Sequence, residues 1–393
     1  MPLRRALAHA GRFPRPFWAL VGGNAVNSLG GGVLVPYWGL YLTTQLDLSG
    51  AGAGALLALA GGMGLVGAPL GGLMADRIGR RRTLVIGLAA SAVWFAAYGS
   101  ITEVFALALL TLVGVSGDVW SAAMNAAVAD LVEPELRAEA YGLQRQAAMA
   151  AFALGPLLGS LLVLLLSLRW IFWVNAATAL VFLVVVLLEV PETRPVRAAH
   201  EPPPRLRAAL RDKRLLLLTL GTGLGIMVYV QFDSVLGVFL HRERGYALAT
   251  WGLVFAISPI LVGLTQYPVA RIAGRHSARA MLALGALLEG IALFILWPTS
   301  VLPVLVVSVV VVTLGEMILQ PIAATVAAGL APAQLRGSYE AVVGVAFAAS
   351  WAPGVLAGLW LVGSGHGELM LILALPISVL AALCFRTLPP CAA

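Results

Sequence analysis

Apolar runs of more than fifteen residues stand on both sides of the stretch Gly71-Gly72-Leu73-Met74-Ala75-Asp76-Arg77-Ile78-Gly79-Arg80-Arg81-Arg82-Thr83. Runs of that length are read as membrane-spanning helices, so this knot of charge is a tight turn at a membrane face. Glycines crowded among basic residues also suggest a nucleotide site, but neither a GxGxxG fingerprint nor a GxxxxGK[ST] loop is present. Composition excludes that rival more firmly. With 60% apolar residues, only 11% charged ones and a mean hydropathy of +0.94, the chain has lipid as its main solvent. The 43 glycines agree, because small residues let spanning helices approach closely where little hydrophobic drive holds them together.

Reading the runs in order gives twelve expected spans, at about 17–42, 51–75, 83–99, 104–131, 139–167, 170–188, 215–240, 248–270, 280–296, 302–330, 338–362 and 369–385. The net charge of +7 does not point to nucleic acid once its placement is considered. If the first span starts inside, all 25 Lys and Arg except Arg169, Arg242 and Arg244 lie on the inner side, and both termini are cytoplasmic. The basic stretch at 1–15 has the flank of an export signal but no cleavage pattern, so the first helix is expected to be retained.

The polar, proline-rich segment 189–214 is expected to be a cytoplasmic linker between an amino-terminal six-helix bundle, 1–188, and a carboxy-terminal one, 215–393. The halves resemble each other at an offset of about 198: Tyr37-Trp38-Gly39-Leu40-Tyr41-Leu42 matches Val235-Leu236-Gly237-Val238-Phe239-Leu240, and Gly117-Asp118 matches Gly315-Glu316. The Gly155-Pro156 kink falls near Pro353-Gly354. The expected fold is therefore an all-α membrane protein of twelve transmembrane helices in two pseudo-symmetric six-helix bundles.

Besides Glu289, three acids lie deep inside expected spans: Asp118 near the middle of the fourth, Asp233 in the outer half of the seventh and Glu316 near the middle of the tenth. Each is costly in hydrocarbon, so it should face a cavity, pair with another group or bind a proton. Tyr229 stands one turn before Asp233 and Gln320 one turn after Glu316, giving each acid a polar neighbour. Asn24 and Asn27, three apart on the first helix, face either the same cavity or a neighbouring helix. Tyr37, Trp38, Trp120 and Phe232 supply aromatic surface for a lipophilic cation. Glu289 is mid-span in the ninth helix and is expected to be a buried, hydrogen-bonded acid.

At the charged turn, Asp76 closes one helix just before the next, so its carboxylate is placed to meet a helix amino terminus. Arg80 can reach Asp130 at the cytoplasmic end of the fourth span, and a charge pair that parts in another conformation is a gate latch. The plainer reading is orientation by arginines alone, which also accounts for Arg81 and Arg82. No His and acid grouping has metal-ligand spacing, and no nucleophile has a base and orienter, so neither a metal, a cofactor nor an enzyme is expected.

The segment from Gly72 to Arg82, with Asp76-Arg77 followed by Gly79-Arg80-Arg81, resembles the loop signature of the major facilitator superfamily. Ala151-Phe152-Ala153-Leu154-Gly155-Pro156-Leu157-Leu158-Gly159 resembles its antiporter signature. The likeness covers essentially the whole chain and is nearest the bacterial drug:proton antiporters. Two features depart from it: the fourth helix lacks an arginine that many such antiporters carry, and the loop 271–279 is a degraded copy of the first signature without an acid.

The resemblance implies a central cavity lined by helices one, four, seven and ten, which carry all three acids. It also implies a packed hinge zone at Gly155, Pro156 and Gly159, where the residues alone allow a simple bend. The expected function is a proton-coupled exporter of lipophilic, preferentially cationic small molecules, working by alternating access in a bacterial inner membrane. It is expected to be monomeric, with protons, substrate and membrane lipids as partners and no nucleic acid. A sugar or other nutrient carrier and a lipid translocator are the rivals, although acids suit cations better than sugars.

Overall fold

The computed structural model describes residues 12–114, 116–133, 136–193, 210–299, 301–331 and 336–388, and within them the side chains of residues 65, 68, 116–118, 138, 328, 336–338, 340 and 341 are outside the description. The described chain is helical because apolar side chains face lipid while each helix satisfies its own backbone amides and carbonyls. Large apolar side chains such as Phe105, Leu164, Leu188 and Leu264 accordingly stand exposed on the protein surface.

In chain order the helices are α1 (Arg15–Leu34), α2 (Gly50–Ile78), α3 (Arg80–Ser100), α4 (Val104–Leu112), α5 (Ser116–Leu131), α6 (Arg137–Leu165) and α7 (Trp170–Glu189). After the linker come α8 (Lys213–Val230), α9 (Leu236–Arg244), α10 (Leu248–Phe255), α11 (Ile257–Ala273), α12 (Ala278–Phe294), α13 (Leu302–Leu330), α14 (Arg336–Gly363) and α15 (Gly367–Arg386). Among the described residues, nine helices are long and apolar enough to cross a membrane. The expected first, fourth and ninth spans fall short of that measure. α1 carries Asn24, Asn27 and a run of glycines; α12 has 17 residues; and the expected continuous fourth span is broken between α4 and α5, beside Gly114.

By internal contacts the described residues divide into two units: those of Met1–Leu34 with Met63–His200, and those of Val35–Gly62 with Glu201–Ala393. One boundary lies between His200 and Glu201, inside the expected linker, and the others set residues 35–62, with the first part of α2, in the second unit. In the first unit, α1 packs on α6 and α7, and α3 on α5 and α7. Phe17, Leu20, Leu84, Leu88, Met124 and Phe182 form the core between them. The closest approach is at Gly32 and Gly155, where a Cβ on either residue would run into the other helix's backbone. Asn175 Nδ2 adds a bond to the Gly30 carbonyl at 2.8 Å.

In the second unit α12 lies against α13 and α15, while α8 packs on α14 and α15. Leu218, Leu282, Ala286, Leu319 and Phe385 fill the space. Residues 35–62 join this unit through specific contacts: Trp251 Nε1 donates to the Pro36 carbonyl at 3.1 Å, Arg242 donates to the Thr43 carbonyl, and Gly50 meets the backbone of Gly363. Hydroxyls within the helices bond back along their own turns, as Thr111 does to Leu107, Ser160 to Pro156 and Thr313 to Val309. That local bonding removes them from the set of polar groups needing a functional explanation.

Candidate functional site

Two clusters of charge are built by the fold, one in each unit. In the first unit, Gly79 separates α2 from α3 with φ of 104°, a left-handed backbone that a residue with a Cβ adopts only under strain. The sharp turn leaves Arg80 at the start of α3, where its side chain folds inward. Arg80 Nη1 bonds Asp76 Oδ1 at 2.6 Å, and Nε bonds Asp130 Oδ2, on α5, at 3.2 Å. Its side chain is only 10% exposed, and the two carboxylates compensate a guanidinium that would otherwise be costly to withdraw from water.

The expected contact between Asp76 and a helix amino terminus is not made. Glu192, just beyond α7, takes that position: its carboxylate accepts from the backbone amides of Arg81 at 3.1 Å and Arg82 at 3.3 Å. The start of α3 offers unpaired amides and a positive dipole end, and Glu192 answers both while Asp76 is held by Arg80. Arg81 ties the same corner through the Leu187 carbonyl at 2.6 Å, and Arg82 is exposed.

Other expected residues of this unit are spread along the helices. Gly155, Pro156 and Gly159 are buried on α6, with Gly155 against α1. Asn24 is buried and Asn27 half-buried on α1. Asp118 is on the first turn of α5, just past the break, and its side chain lies outside the described residues.

In the second unit, a wide π-helical turn, Gln231–Val235, follows α8 and carries Asp233. One extra residue in a helical turn re-aims the side chains around it. Gln231 anchors the turn, its Nε2 donating to the Met227 carbonyl at 2.8 Å and to the Gly354 carbonyl of α14 at 2.9 Å. Asp233 Oδ2 accepts from Ser234 Oγ at 2.9 Å. Phe232 stacks on Phe255 at 5.4 Å and sits edge-on to Trp251 at 6.0 Å and to Tyr229 at 5.9 Å.

Tyr229, expected to accompany Asp233, hydrogen-bonds Glu316 of α13 instead, and lies within electrostatic range of Asp233 and Glu289 as well. The structure thus brings Tyr229, Asp233 and Glu316 together, with Gln320 one turn further along α13. Glu289 was expected to be buried and hydrogen-bonded. It is buried, at 1% exposure, but neither carboxylate oxygen has a hydrogen-bond partner among the described residues. Its mid-span position was visible in the sequence; the glycines of α8 and α13 that make room for it were not recognised as its surroundings. A Cβ on Gly315 would meet Glu289 Cγ at 2.9 Å, and one on Gly225 would meet Oε2 at 3.4 Å.

A family model described as Major Facilitator Superfamily matches residues 20–263 and 234–391. The chain is 26% identical to an uncharacterized MFS-type transporter, YttB, of Bacillus subtilis, over 94% of each chain. It is 28% identical to the multidrug resistance protein MdtH of Escherichia coli, over 75% of this chain and 73% of that one. Among solved structures, a POT family transporter in complex with 5-aminolevulinic acid superposes with a TM-score of 0.79 at 14% identity, covering 94% of this chain and 95% of that one. The nucleoside transporter NupG gives the same score and identity over 95% and 99%. At such identity these two speak for the fold alone.

Proposed function

Since the chain belongs to the Major Facilitator Superfamily and is a multi-pass membrane carrier of small molecules rather than an enzyme, we propose that it exports lipophilic cations in exchange for protons. The observation that carries this reading is the grouping of Tyr229, Asp233 and Glu316 beside the aromatic stack of Phe232, Phe255 and Trp251. A carboxylate near aromatic faces attracts a cation by charge and by the ring quadrupole together. A proton competes for the same carboxylate, so arrival of one ligand drives departure of the other, which is exchange. The name of the relative MdtH agrees with export of drug-like compounds.

In this reading the chain forms two six-helix bundles, 1–188 and 215–393, joined by a cytoplasmic linker, and sits as a monomer in the bacterial inner membrane with both termini inside. The arginine distribution and the bacterial relatives support that placement. Asp233 and Glu316 carry the proton and contact the cation, with Tyr229 and Gln320 beside them; Asp118, Asn24 and Asn27 are the candidate proton or substrate contacts of the first unit. Asp76, Arg80 and Asp130 act as a latch whose bonds exist in one state and part in another, and Gly155, Pro156 and Gly159 allow the bend.

Reconstituted, sealed vesicles with an imposed proton gradient test the proposal, using tetraphenylphosphonium, a neutral sugar, a nucleoside and a fluorescent lipid. Gradient-driven movement of tetraphenylphosphonium alone is the expected result. Movement of the sugar, nucleoside or lipid with no cation exchange would overturn it.

A further inference from the structure

Glu289 is a carboxyl group that the exchange mechanism above does not use. An ionised carboxylate inside a membrane protein requires a base, a metal or several donors, and among the described residues Glu289 has no hydrogen-bond partner on either oxygen. The groups facing it are of the wrong kind to hold an anion. From α13 Glu316, another acid, lies in electrostatic range; from α8 so does Tyr229, whose hydroxyl is already bonded to Glu316; from α15 the nearby polar group is the Ser378 hydroxyl, which packs against Gly290. Asp233 follows Tyr229 on the next turn, adding a third negative group rather than a compensating one.

The packing shows that this placement is built into the chain. α12 and α13 approach at Gly285 and Gly315, where a Cβ on Gly285 would meet the Gly315 carbonyl at 2.9 Å. Gly225 opens the facing side of α8. Gly315 and Gly225 therefore make room for the acid, whose stem lies against the residue that precedes Glu316, and Gly285 lets α12 close on α13 beside it.

We propose that Glu289 and Glu316 form a carboxyl pair that binds protons as a unit, with Glu316 as the member facing the substrate and Glu289 as the member behind it. Two acids in one apolar site titrate in coupled steps that belong to the pair rather than to either residue. A proton released when a cation arrives leaves from the Glu316 carboxyl, which becomes the carboxylate that faces the cation; Glu289 keeps its own proton, so the site carries one negative charge and not two. The place of the pair in transport rests on the proton-coupled reading above, but its titration does not.

The test is infrared titration of the detergent-purified protein without any substrate, following carboxylic acid carbonyl bands, for the parent, Glu289→Gln, Glu316→Gln and the double variant. Relative to the double variant, whose remaining steps belong to Asp233 and the other acids, the parent is expected to show two further coupled steps and each single variant one, with about one proton fewer taken up. Glu289→Asp, which keeps the acid, is expected to retain two steps. If Glu289→Gln keeps both steps of the parent, the pair does not exist. If the Gln variant fails to fold, the parent decides alone: absence of a protonated carboxyl band slow to exchange in heavy water overturns the proposal. Failure of tetraphenylphosphonium exchange in vesicles with the two-step titration intact would instead remove the export reading and leave the pair standing.

Discussion

Arg80 and Glu289 are both ionisable side chains withdrawn from solvent, yet their surroundings are opposite. Arg80 sits between the carboxylates of Asp76 and Asp130, on bonds of 2.6 and 3.2 Å, and its charge is fully answered by its own chain. Glu289 looks toward another acid and a tyrosine, and no ion pair joins it or Asp233 to a base among the described residues. A saturated cluster holds a conformation, because breaking it exposes uncompensated charge. An unsaturated cluster of acids waits for a proton or a cation. On the proposed reading the saturated cluster is the latch and the unsaturated one the binding site.

The largest expected effect comes from removing charge where the cluster is unsaturated. Glu316→Gln should weaken tetraphenylphosphonium binding about thirtyfold or more, in line with the roughly 2–5 kcal/mol lost when one partner of a buried charge pair is truncated. Equilibrium dialysis in detergent measures it, and unchanged affinity would place the cation elsewhere. Next is Arg80→Ala, which leaves Asp76 and Asp130 facing each other. Breaking a buried pair costs about 3–5 kcal/mol, but Asp76 is largely exposed and solvent screens it, so about 2 kcal/mol is expected. Thermal unfolding in detergent reads the loss, and adding Asp130→Asn should recover part of it. If the double variant is no more stable than the single one, Asp130 is not Arg80's counterpart.

How much of this was legible in the sequence depends on the range of the forces involved. Apolar runs announced helices, and the pairing of Arg80 with Asp130 followed from helix count, since the charges had to lie at the same membrane face. Glu192 was hidden because an acid at the edge of a proline-rich linker looks solvated; only the path of α7 brings it to the start of α3. Gly114 looked like one more small residue in a continuous span, and the break beside it places Asp118 at a helix start rather than mid-helix. Glu289 was visible as an anomaly, but its surroundings depend on glycines of other helices, Gly225 and Gly315. The grouping of Tyr229 with Glu316 rather than with Asp233 alone follows from the packing of α8 on α13, which no periodicity in the sequence announces.

Smaller effects sharpen the same contrast between rigid and adaptable regions. Gly155→Val should cost about 1–3 kcal/mol by overpacking the backbone contact with Gly32, whereas Gly22→Val, with open space around its Cβ position, should be close to neutral. Equal losses at both sites would mean that glycine is needed for backbone freedom and not for close approach. Glu192→Gln should lower stability by about 0.3–1 kcal/mol, because a neutral amide still accepts from the α3 amides but no longer complements the dipole. The difference from the parent should shrink as salt is raised, and thermal unfolding over a salt series checks it.

The central claim is that the acids of the second unit exchange a proton for a cation. Its most direct test is proton release from detergent-purified protein on adding saturating tetraphenylphosphonium, followed with a pH indicator in weak buffer. The parent is predicted to release protons, and the Asp233→Asn, Glu316→Gln double variant to release none. Full, unchanged release from that double variant would contradict the account.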